Sequence, residues 1–205
     1  MNNKGLFVTF EGGEGAGKTT LINRLYDMIE SEGESVIKTR EPGGTPLGSK
    51  IRELLLTSGE TVSSRAELLL FMADRAHHVD TKLFPALEAG SIVLCDRYID
   101  SSYAYQGSLY EHNELEKIMN FSTANLIPDL TFFLDLDPQI GLERAQKEGI
   151  KLDRIESHDI QFHIEVREAF LSLAKRYKKR IIVVNANQSK DALFNTVWQH
   201  LRRRL

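Results

Sequence analysis

Apolar residues in this 205-residue chain are concentrated in short runs that are rich in β-branched and aromatic side chains. Runs of this length and composition are typical of buried β-strands. Four strong runs predict strands at residues 6–10 (LFVTF), 92–95 (IVLC), 130–136 (LTFFLDL) and 180–186 (RIIVVNA). A weaker run predicts a fifth strand at residues 35–40 (SVIKTR). We therefore expect a sheet of five strands.

Between these runs the apolar residues recur three and four positions apart, which is the spacing of an amphipathic helix. Residues 20–32 (TLINRLYDMIESE) and 115–126 (LEKIMNFSTANL) are examples. Strands that alternate with helices predict an α/β fold, in which helices cover both faces of a parallel sheet. No repeat, low-complexity stretch or linker divides the sequence, so we expect a single domain over residues 1–205.

Composition and charge narrow the possible classes of function. The formal net charge is −3 and the basic residues form no single stripe, so nucleic-acid binding is not indicated. No signal peptide is recognisable, and no run approaches the ~20 apolar residues of a membrane span. The single cysteine, Cys95, lies in an apolar run and is expected to be a buried thiol in a reducing compartment. We expect a cytoplasmic protein without a membrane or nucleic-acid partner.

Residues 10–21 (FEGGEGAGKTTL) connect the first predicted strand to the first predicted helix and contain Gly12-x-x-x-x-Gly17-Lys18-Thr19, the P-loop pattern. A glycine-rich turn that leads into a helix points backbone N–H groups and the positive end of the helix dipole into one concavity, which binds phosphate. Lys18 is expected to reach the β- and γ-phosphate oxygens, and the Thr19 hydroxyl to help hold Mg²⁺. The alternative, a flexible turn with a solvated Lys18, leaves a positive charge where it opposes the helix dipole.

Asp96 and Arg97 directly follow the predicted strand at 92–95. Ligands of open α/β sheets collect at the carboxyl ends of the strands, next to the P-loop. An aspartate there can orient Mg²⁺ or its bound water, and an arginine can clamp a phosphate with its planar fork. The alternative is an ion pair that closes a turn, but the adjacent P-loop favours the functional interpretation.

Residues 39–55 (TREPGGTPLGSKIRELL) place Glu41 at the end of the weaker strand, followed by a Pro-Gly-Gly turn and a helix that carries Arg52. This segment begins close to the edge of the sheet where the P-loop lies. Arg52 is therefore a candidate for binding a second phosphate group, and the alternative is a solvated arginine.

Residues 67–79 (ELLLFMADRAHHV) predict an apolar helix with Phe71 and Arg75 on one face. A phenyl ring beside a guanidinium forms a platform on which a flat base can stack, and ordinary core packing is the alternative for Phe71. Asp74 and His78 also share the spacing of a metal-binding pair. No third ligand accompanies them, so we expect no metal site there.

Residues 144–156 (RAQKEGIKLDRIE) interrupt two helical patterns with charged residues and one glycine. They form either a solvated loop or a mobile lid that brings Arg154 onto a transferring phosphate. Residues 100–107 (DSSYAYQG) add hydroxyl, phenol and amide groups near the same edge of the sheet.

The motifs FEGGEGAGKTT, TREPGGTPLG, FMADRAHHV, DRYIDSSYAYQG, PDLTFFLDL and LDRIE, in this order, resemble those of the thymidylate kinase family, from about residue 5 to about residue 186. The joint occurrence of REPGGT and DRY…YQG is highly specific. The resemblance implies a P-loop NTPase fold with a five-stranded parallel sheet and a mobile lid. It also implies a homodimer that transfers the γ-phosphate of ATP to dTMP with Mg²⁺, and an adenine site near the loop after VVNANQ.

The resemblance divides the candidate residues among three binding sites. The ATP phosphates are expected on Gly12, Gly13, Glu14, Gly15, Ala16, Gly17, Lys18, Thr19 and Thr20. Mg²⁺ and its waters are expected at Thr19, Glu11 and Asp96. The dTMP site is expected to comprise Glu11, Glu41, Arg52, Phe71, Arg75, Arg97, Ser102, Tyr105 and Gln106. Catalysis is assigned to Lys18, Glu41, Arg97 and Arg154.

Within the dTMP site the resemblance implies separate tasks. Glu41 lies close to the sugar and the phosphate, and Arg52 and Arg97 bind the phosphate. Phe71 stacks on thymine, and Tyr105 packs where a ribose 2′-hydroxyl would lie. The edge of the base accepts or donates hydrogen bonds at Arg75, Ser102 and Gln106.

The position of the catalytic arginine distinguishes branches of the family. Some members, including the eukaryotic kind, carry an arginine at the position of Gly15 and none in the lid, so Gly15 with Arg154 resembles the bacterial arrangement. Gln146 and Glu148 stand where some bacterial lids are basic. Arg154 therefore supplies the transition-state charge alone or shares it with Arg144, Lys147 and Lys151. Arg154→Ala is predicted to lower the turnover rate by about 10³ with a modest change in substrate binding.

Two other functions stay open at this point. Another deoxynucleotide or deoxynucleoside kinase of the same fold would accept dUMP, dCMP or a nucleoside, and Glu41 could then take the 5′-hydroxyl proton. A P-loop switch ATPase would hydrolyse nucleotide slowly without any acceptor, whereas a kinase would leave ATP nearly untouched until an acceptor is added.

Overall fold

The computed structural model describes residues 5–56, 62–149 and 153–205. The strands of this part form one parallel sheet in the order β2-β3-β1-β4-β5. They are β1 (Leu6–Glu11), β2 (Val36–Arg40), β3 (Ile92–Asp96), β4 (Leu130–Asp135) and β5 (Ile181–Asn185). All five predicted strands are confirmed, and each end lies within one residue of its predicted position.

Helices connect the strands and pack against both faces of the sheet. They are α1 (Lys18–Ser31), α2 (Pro46–Leu56), α3 (Ser64–His78), α4 (Phe84–Glu88), α5 (Ile99–Gln106), α6 (His112–Thr123), α7 (Pro138–Lys147), α8 (Ile160–Arg176) and α9 (Lys190–Leu201). A π-helical turn, Val79–Leu83, joins α3 to α4, and a 3₁₀ turn, Gly107–Leu109, follows α5. Among the described residues no helix has the length and apolar character needed to cross a membrane.

The central strand β1 is buried on both faces, which explains its continuous apolar run. On one face Val8 packs in a cluster with Leu25 of α1 and Val197 of α9. On the other face Phe7 packs against Tyr98, with ring centroids 4.9 Å apart. Helices on both faces thus fix the strand from which the P-loop emerges.

Helix α6 ends earlier than the apolar pattern predicts. Ala124 and Asn125 have φ angles of 46° and 62°, so the chain leaves the helix after Thr123. Leu126 nevertheless continues the apolar pattern, because it packs in the cluster around Tyr98. The hydroxyl of Tyr98 donates to the carbonyl oxygen of Leu126 at 3.2 Å.

β1 lies between β3 and β4: the chain adds β2 and β3 on one side of it and then crosses over to add β4 and β5 on the other side. Such a reversal opens a crevice at the carboxyl ends of the strands. The P-loop and Glu41 follow strands at this edge of the sheet, and Asp96 is the last residue of β3. The fold therefore brings together segments that are far apart in the sequence.

Candidate active site

The loop between β1 and α1 wraps around the ammonium group of Lys18. The Nζ atom of Lys18 donates to the carbonyl oxygens of Gly12 (3.0 Å) and Gly13 (2.9 Å). Gly17, directly before α1, has a φ of 88°, a left-handed conformation that favours glycine. Burial and the nearby Arg97 lower the pKa of Lys18. Phosphate oxygens in this loop would counter both effects, because they favour the charged ammonium.

Gly15 brings the main chain of the P-loop against the main chain of α7. A Cβ atom on Gly15 would overlap the carbonyl oxygen of Gly141, and a Cβ atom on Gly141 would overlap the carbonyl oxygen of Glu14. The φ of Gly15 is also left-handed, at 67°. The described structure thus leaves no space for an arginine at position 15.

The P-loop forms part of the wall of a cleft of about 930 Å³, which we call the main cleft. Of the predicted P-loop residues, those from Glu14 to Thr20 line it. Arg144 of α7 also lines the cleft and donates to the carbonyl oxygen of Ala186 and to Oδ1 of Asn187, both at 3.1 Å. Gln188 lies in the wall as well. The loop that was expected near adenine therefore borders the main cleft.

Asp96 and Thr19 meet in the main cleft. The hydroxyl of Thr19 lies 3.4 Å from Oδ2 of Asp96, and Oδ1 of Asp96 is buried without a hydrogen-bond partner in the described structure. These hard oxygen donors suit Mg²⁺, which is usually held by one or two carboxylates together with substrate phosphates. The described residues contain no group of three or more His, Cys, Asp or Glu side chains that could form a complete protein cage for a metal.

Glu11 lies beneath the cavities rather than in their walls. Its side chain is fully buried, and it accepts hydrogen bonds from the backbone N–H of Tyr98 (2.9 Å) and the hydroxyl of Ser101 (2.6 Å). Burial and the nearby Asp100 raise the pKa of Glu11 to about 8. In this arrangement Glu11 positions the start of α5, and its expected contacts with Mg²⁺ and dTMP stay predictions.

A second, smaller cavity lies beside the main cleft, and we call it the side pocket. Its wall contains eight of the nine residues predicted for the dTMP site, all except Glu11: Glu41, Arg52, Phe71, Arg75, Arg97, Ser102, Tyr105 and Gln106. Three of them, Glu41, Arg52 and Arg97, also line the main cleft. A group bound in the side pocket is thus next to one bound at the P-loop.

A buried ion pair anchors the wall of the side pocket. Arg75 donates through Nε to Oε2 of Glu41 at 2.7 Å, and both side chains are almost fully buried. The other guanidinium nitrogens donate to Oγ of Ser102 and to the carbonyl oxygen of Tyr98, each at 3.0 Å. Arg52 donates to the carbonyl oxygen of Pro42 at 3.1 Å. The orientation of Arg75 is therefore fixed before any ligand binds.

His78 and Asp74, which shared the spacing of a metal pair, instead hold the segment around Glu41. The Nδ1 atom of His78 lies 2.8 Å from Oε1 of Glu41. Oδ1 of Asp74 accepts a hydrogen bond from the backbone N–H of Gly43 at 3.2 Å. The sequence analysis did not assign these roles to either residue. Both residues lie on the face of α3 that also carries Arg75, and this position was the only indication in the sequence that they support the same site.

Arg97 lies between the two cavities in a conformation that is unusual for a residue other than glycine. Its φ is 68°, and a left-handed conformation of this kind costs about 1 kcal/mol or more. The guanidinium carbon lies 5.3 Å from the centre of the Tyr105 ring, and Nη1 donates to Ser101 at 3.3 Å. The strained backbone aims the side chain at the junction of the cavities.

The described part of the expected lid approaches the side pocket. Arg154 pairs with Glu67 and donates through Nε to the carbonyl oxygen of Leu55 at 3.1 Å. Its neighbours Asp153 and Glu156 line both cavities. The structure therefore does not bring Arg154 together with the P-loop. Lys151, one of the three residues that were the alternative to Arg154 acting alone, lies outside the described residues.

Glu156 connects the lid to the P-loop. Burial and a hydrogen bond with Glu14 raise the pKa of Glu156 to about 7. One proton shared between the two carboxyl groups accounts for this contact, because two ionised carboxylates would repel each other. Glu156 also accepts a hydrogen bond of 3.0 Å from the backbone N–H of Asp153.

The chain is similar to known proteins over nearly its whole length. The family model for thymidylate kinase matches residues 10–197. The chain is 47% identical over 208 aligned residues to the thymidylate kinase of Protochlamydia amoebophila, with 97% of this chain and 92% of that protein covered. It is 45% identical over 204 residues to the thymidylate kinase of Deinococcus radiodurans, with 98% of each chain covered. For the thymidylate kinase of Shouchella clausii the identity is 44% over 206 residues, with 98% and 97% covered.

Proposed function

Because the chain belongs to the thymidylate kinase family, and therefore transfers the γ-phosphate of ATP to dTMP to give dTDP, we propose that its two cavities divide the substrates between them. ATP binds in the main cleft with its phosphates on the P-loop. dTMP binds in the side pocket. The observation that carries this assignment is the convergence of Glu41, Arg75 and Tyr105, from three separate segments, on a pocket next to Lys18.

In the main cleft, Lys18 binds the β- and γ-phosphate oxygens and leaves the carbonyl groups that it contacts now. Asp96 and Thr19 hold Mg²⁺, and the unpartnered Oδ1 of Asp96 supports this assignment. When bound, Mg²⁺ neutralises charge on the β- and γ-phosphates. Arg97, at the junction of the cavities, contacts the phosphate of dTMP, and Arg52 contacts it from α2. Placing the two phosphates in line carries the catalysis, so the protein supplies no general base.

In the side pocket, Phe71 stacks on thymine while Arg75, Ser102 and Gln106 meet the edge of the base. Tyr105 lies against Arg97 and limits the space beside the sugar, which favours deoxyribose. Glu41 lies where the sugar and the phosphate meet. Its carboxylate is already paired with Arg75, so it acts by position and charge rather than by taking a proton.

Arg154 supplies charge to the transferring phosphoryl group in this proposal, as the lid arginine of the bacterial arrangement. It must first leave Glu67 and the carbonyl oxygen of Leu55. A movement of the segment around Arg154 is thus part of each turnover. Arg144, which already lines the main cleft, contributes further positive charge to the site.

We further propose a cytoplasmic homodimer. The solvent-exposed apolar side chains of Leu69 on α3 (54% exposed) and Phe121 on α6 (88% exposed) support self-association, because α3 and α6 pack together and present both to solvent. The single buried thiol of Cys95 supports a reducing compartment. Light scattering during size-exclusion chromatography tests the dimer, and a mass of one chain at micromolar concentration would refute it.

The assignment of the cavities is tested by ADP release with ATP and Mg²⁺ in the presence of dTMP, dUMP, dCMP, thymidine or ribo-TMP. Fast release with dTMP that is lost in Phe71→Ala and weakened in Arg52→Ala is the expected result. ADP release that is slow and has the same rate with and without an acceptor would indicate a nucleotide switch instead. Wild-type kinetics in both variants would reject the side pocket as the dTMP site.

A further inference from the structure

Glu67, in the first turn of α3, lies between two side chains from distant parts of the chain. Its Oε1 atom accepts a hydrogen bond of 3.4 Å from Nε2 of Gln106, at the end of α5. Its Oε2 atom pairs with the guanidinium of Arg154. The side chain of Glu67 is 15% exposed, so the protein shields both contacts from most of the solvent.

The chemistry of this carboxylate restricts the orientation of Gln106. The carboxylate of Glu67 forms an ion pair with the guanidinium of Arg154, and a carboxylate only accepts hydrogen bonds. A glutamine amide can rotate by half a turn and exchange its donor with its acceptor. One of these two orientations turns the NH₂ group of Gln106 toward Glu67, and the other sets two oxygens against each other. Glu67 therefore holds the nitrogen of the amide on its own side.

The fixed amide decides what Gln106 presents to a base. Gln106 is buried and lines the side pocket. With Nε2 turned toward Glu67, the carbonyl oxygen Oε1 is the end offered to a ligand. Thymine and uracil carry an N–H donor at position 3, which an amide oxygen accepts. Cytosine has an acceptor nitrogen at position 3, so that two acceptors would face each other.

We propose that Glu67 is a positioning residue that sets the base specificity of the enzyme by fixing the amide of Gln106, and so favours dTMP and dUMP over dCMP. This inference rests on the proposed function, in which Gln106 meets the edge of the base. Sites that leave buried polar groups unpaired with the wrong substrate discriminate strongly against it. Glu67 thus contributes to the rejection of dCMP although it does not contact the substrate.

Glu67→Gln is the first test, because glutamine has the same shape but can donate as well as accept. Both orientations of the Gln106 amide then become possible. We measure kcat/KM for dTMP, dUMP and dCMP at saturating ATP. The dTMP-to-dCMP ratio should fall by about tenfold or more, and the dTMP-to-dUMP ratio should equal that of the wild type. An unchanged dTMP-to-dCMP ratio, or a parallel fall in both ratios, would overturn the proposal.

The design separates Gln106 from Arg154, which also loses its partner in Glu67→Gln. An effect through Arg154 on phosphoryl transfer alters the rate with all three acceptors alike, so the ratios cancel it. Glu165→Gln is a matched control, since Glu165 accepts a hydrogen bond of 3.1 Å from Gln161 on the exposed surface of α8. Both ratios should stay unchanged in this variant. If Glu67→Gln fails to fold, Glu67→Leu is judged by the same criteria.

Gln106→Leu distinguishes a failure of this inference from a failure of the proposed function. If kcat/KM for dTMP is unaffected in Gln106→Leu, Gln106 does not meet the base. The proposed contact of Gln106 with the base and the proposed role of Glu67 then both fail. If kcat/KM falls but Glu67→Gln keeps the wild-type ratios, only the role of Glu67 is overturned. If Glu67 acts through Gln106, adding Glu67→Gln to Gln106→Leu changes the dTMP-to-dCMP ratio no further.

Discussion

The Nδ1 atom of His78 lies 2.8 Å from Oε1 of Glu41, and both side chains are buried. The other oxygen of this carboxylate accepts a hydrogen bond from Arg75. The opposite ring nitrogen of His78 lies 2.8 Å from the hydroxyl of Thr39. One imidazole therefore ties the end of β2 to α3 and holds Glu41 in a single orientation at the wall of both cavities.

His78→Leu should lower kcat/KM for dTMP by about 10- to 100-fold, because a buried hydrogen bond to a charged group is lost at Glu41. The KM for ATP should change little, since His78 does not line the main cleft. Steady-state kinetics with each substrate varied in turn measures both effects. His78→Asn places an amide nitrogen near the position of Nδ1 and should recover most of the activity. Equal losses in the two variants would contradict a positioning role and indicate a loss of packing alone.

The fold and the P-loop could be predicted because their signals are local, whereas the roles of most other site residues were implied only by the family resemblance. Central strands such as β1 are buried on both faces and read as continuous apolar runs. The P-loop has a fixed glycine spacing between a strand and a helix. The spacing of Phe71 and Arg75 predicted that both side chains lie on one face of a helix. In the structure both line the side pocket.

The contacts that the sequence did not predict join segments that are distant in the chain. The pairing of His78 with Glu41 depends on how the turn after β2 docks on α3. The pairing of Arg154 with Glu67 joins residues 87 positions apart. The approach of Gly15 to Gly141 is made by main-chain atoms, which leave no pattern of side chains to read. Glu11 was assigned to the site by the family resemblance, and its contact with Ser101 at the start of α5 was not predicted.

Gly141→Ala should impair ATP binding, although alanine favours a helix over glycine by about 1 kcal/mol. The added methyl group would overlap the carbonyl oxygen of Glu14 and displace the P-loop. We expect the KM for ATP to rise and kcat to fall, each by about tenfold. Gly107→Ala is the control, because a Cβ atom there meets no atom within 4 Å. Wild-type kinetics in Gly141→Ala would show that α7 can move away from the P-loop at no cost to catalysis.

Asp96→Asn should raise the Mg²⁺ concentration for half-maximal activity by about tenfold or more. The substitution keeps the shape of the side chain but removes the negative charge that faces Thr19 in the main cleft. A titration of activity with Mg²⁺ at fixed ATP gives this value. Asp137→Asn is a suitable control, since Asp137 caps the N-terminus of α7 and asparagine caps equally well. The assignment of Asp96 to Mg²⁺ fails if both variants follow the wild-type titration curve.

Asp74 should make the protein less stable as the pH rises from about 4 to about 6. Burial and the nearby Glu41 raise the pKa of Asp74 to about 6, from an ordinary value of 3.8. Between these values the folded chain holds a proton on Asp74 that the unfolded chain releases. The stability contributed by the protonated group is therefore complete below about pH 4 and is lost as the pH passes through about 6.

Asp74→Asn removes this dependence, because asparagine does not ionise and its oxygen can still accept from the backbone N–H of Gly43. The free energy of unfolding of the variant, relative to wild type, should increase by about 1–3 kcal/mol between pH 4 and pH 7. Urea unfolding of both proteins at pH 4, 5, 6 and 7 measures the difference. Asp191→Asn is the control, because the side chain of Asp191 is 82% exposed. It gives the contribution of a surface carboxylate to the pH dependence of the free energy of unfolding. A difference between Asp74→Asn and wild type that stays constant over this range would mean that folding does not raise the pKa of Asp74.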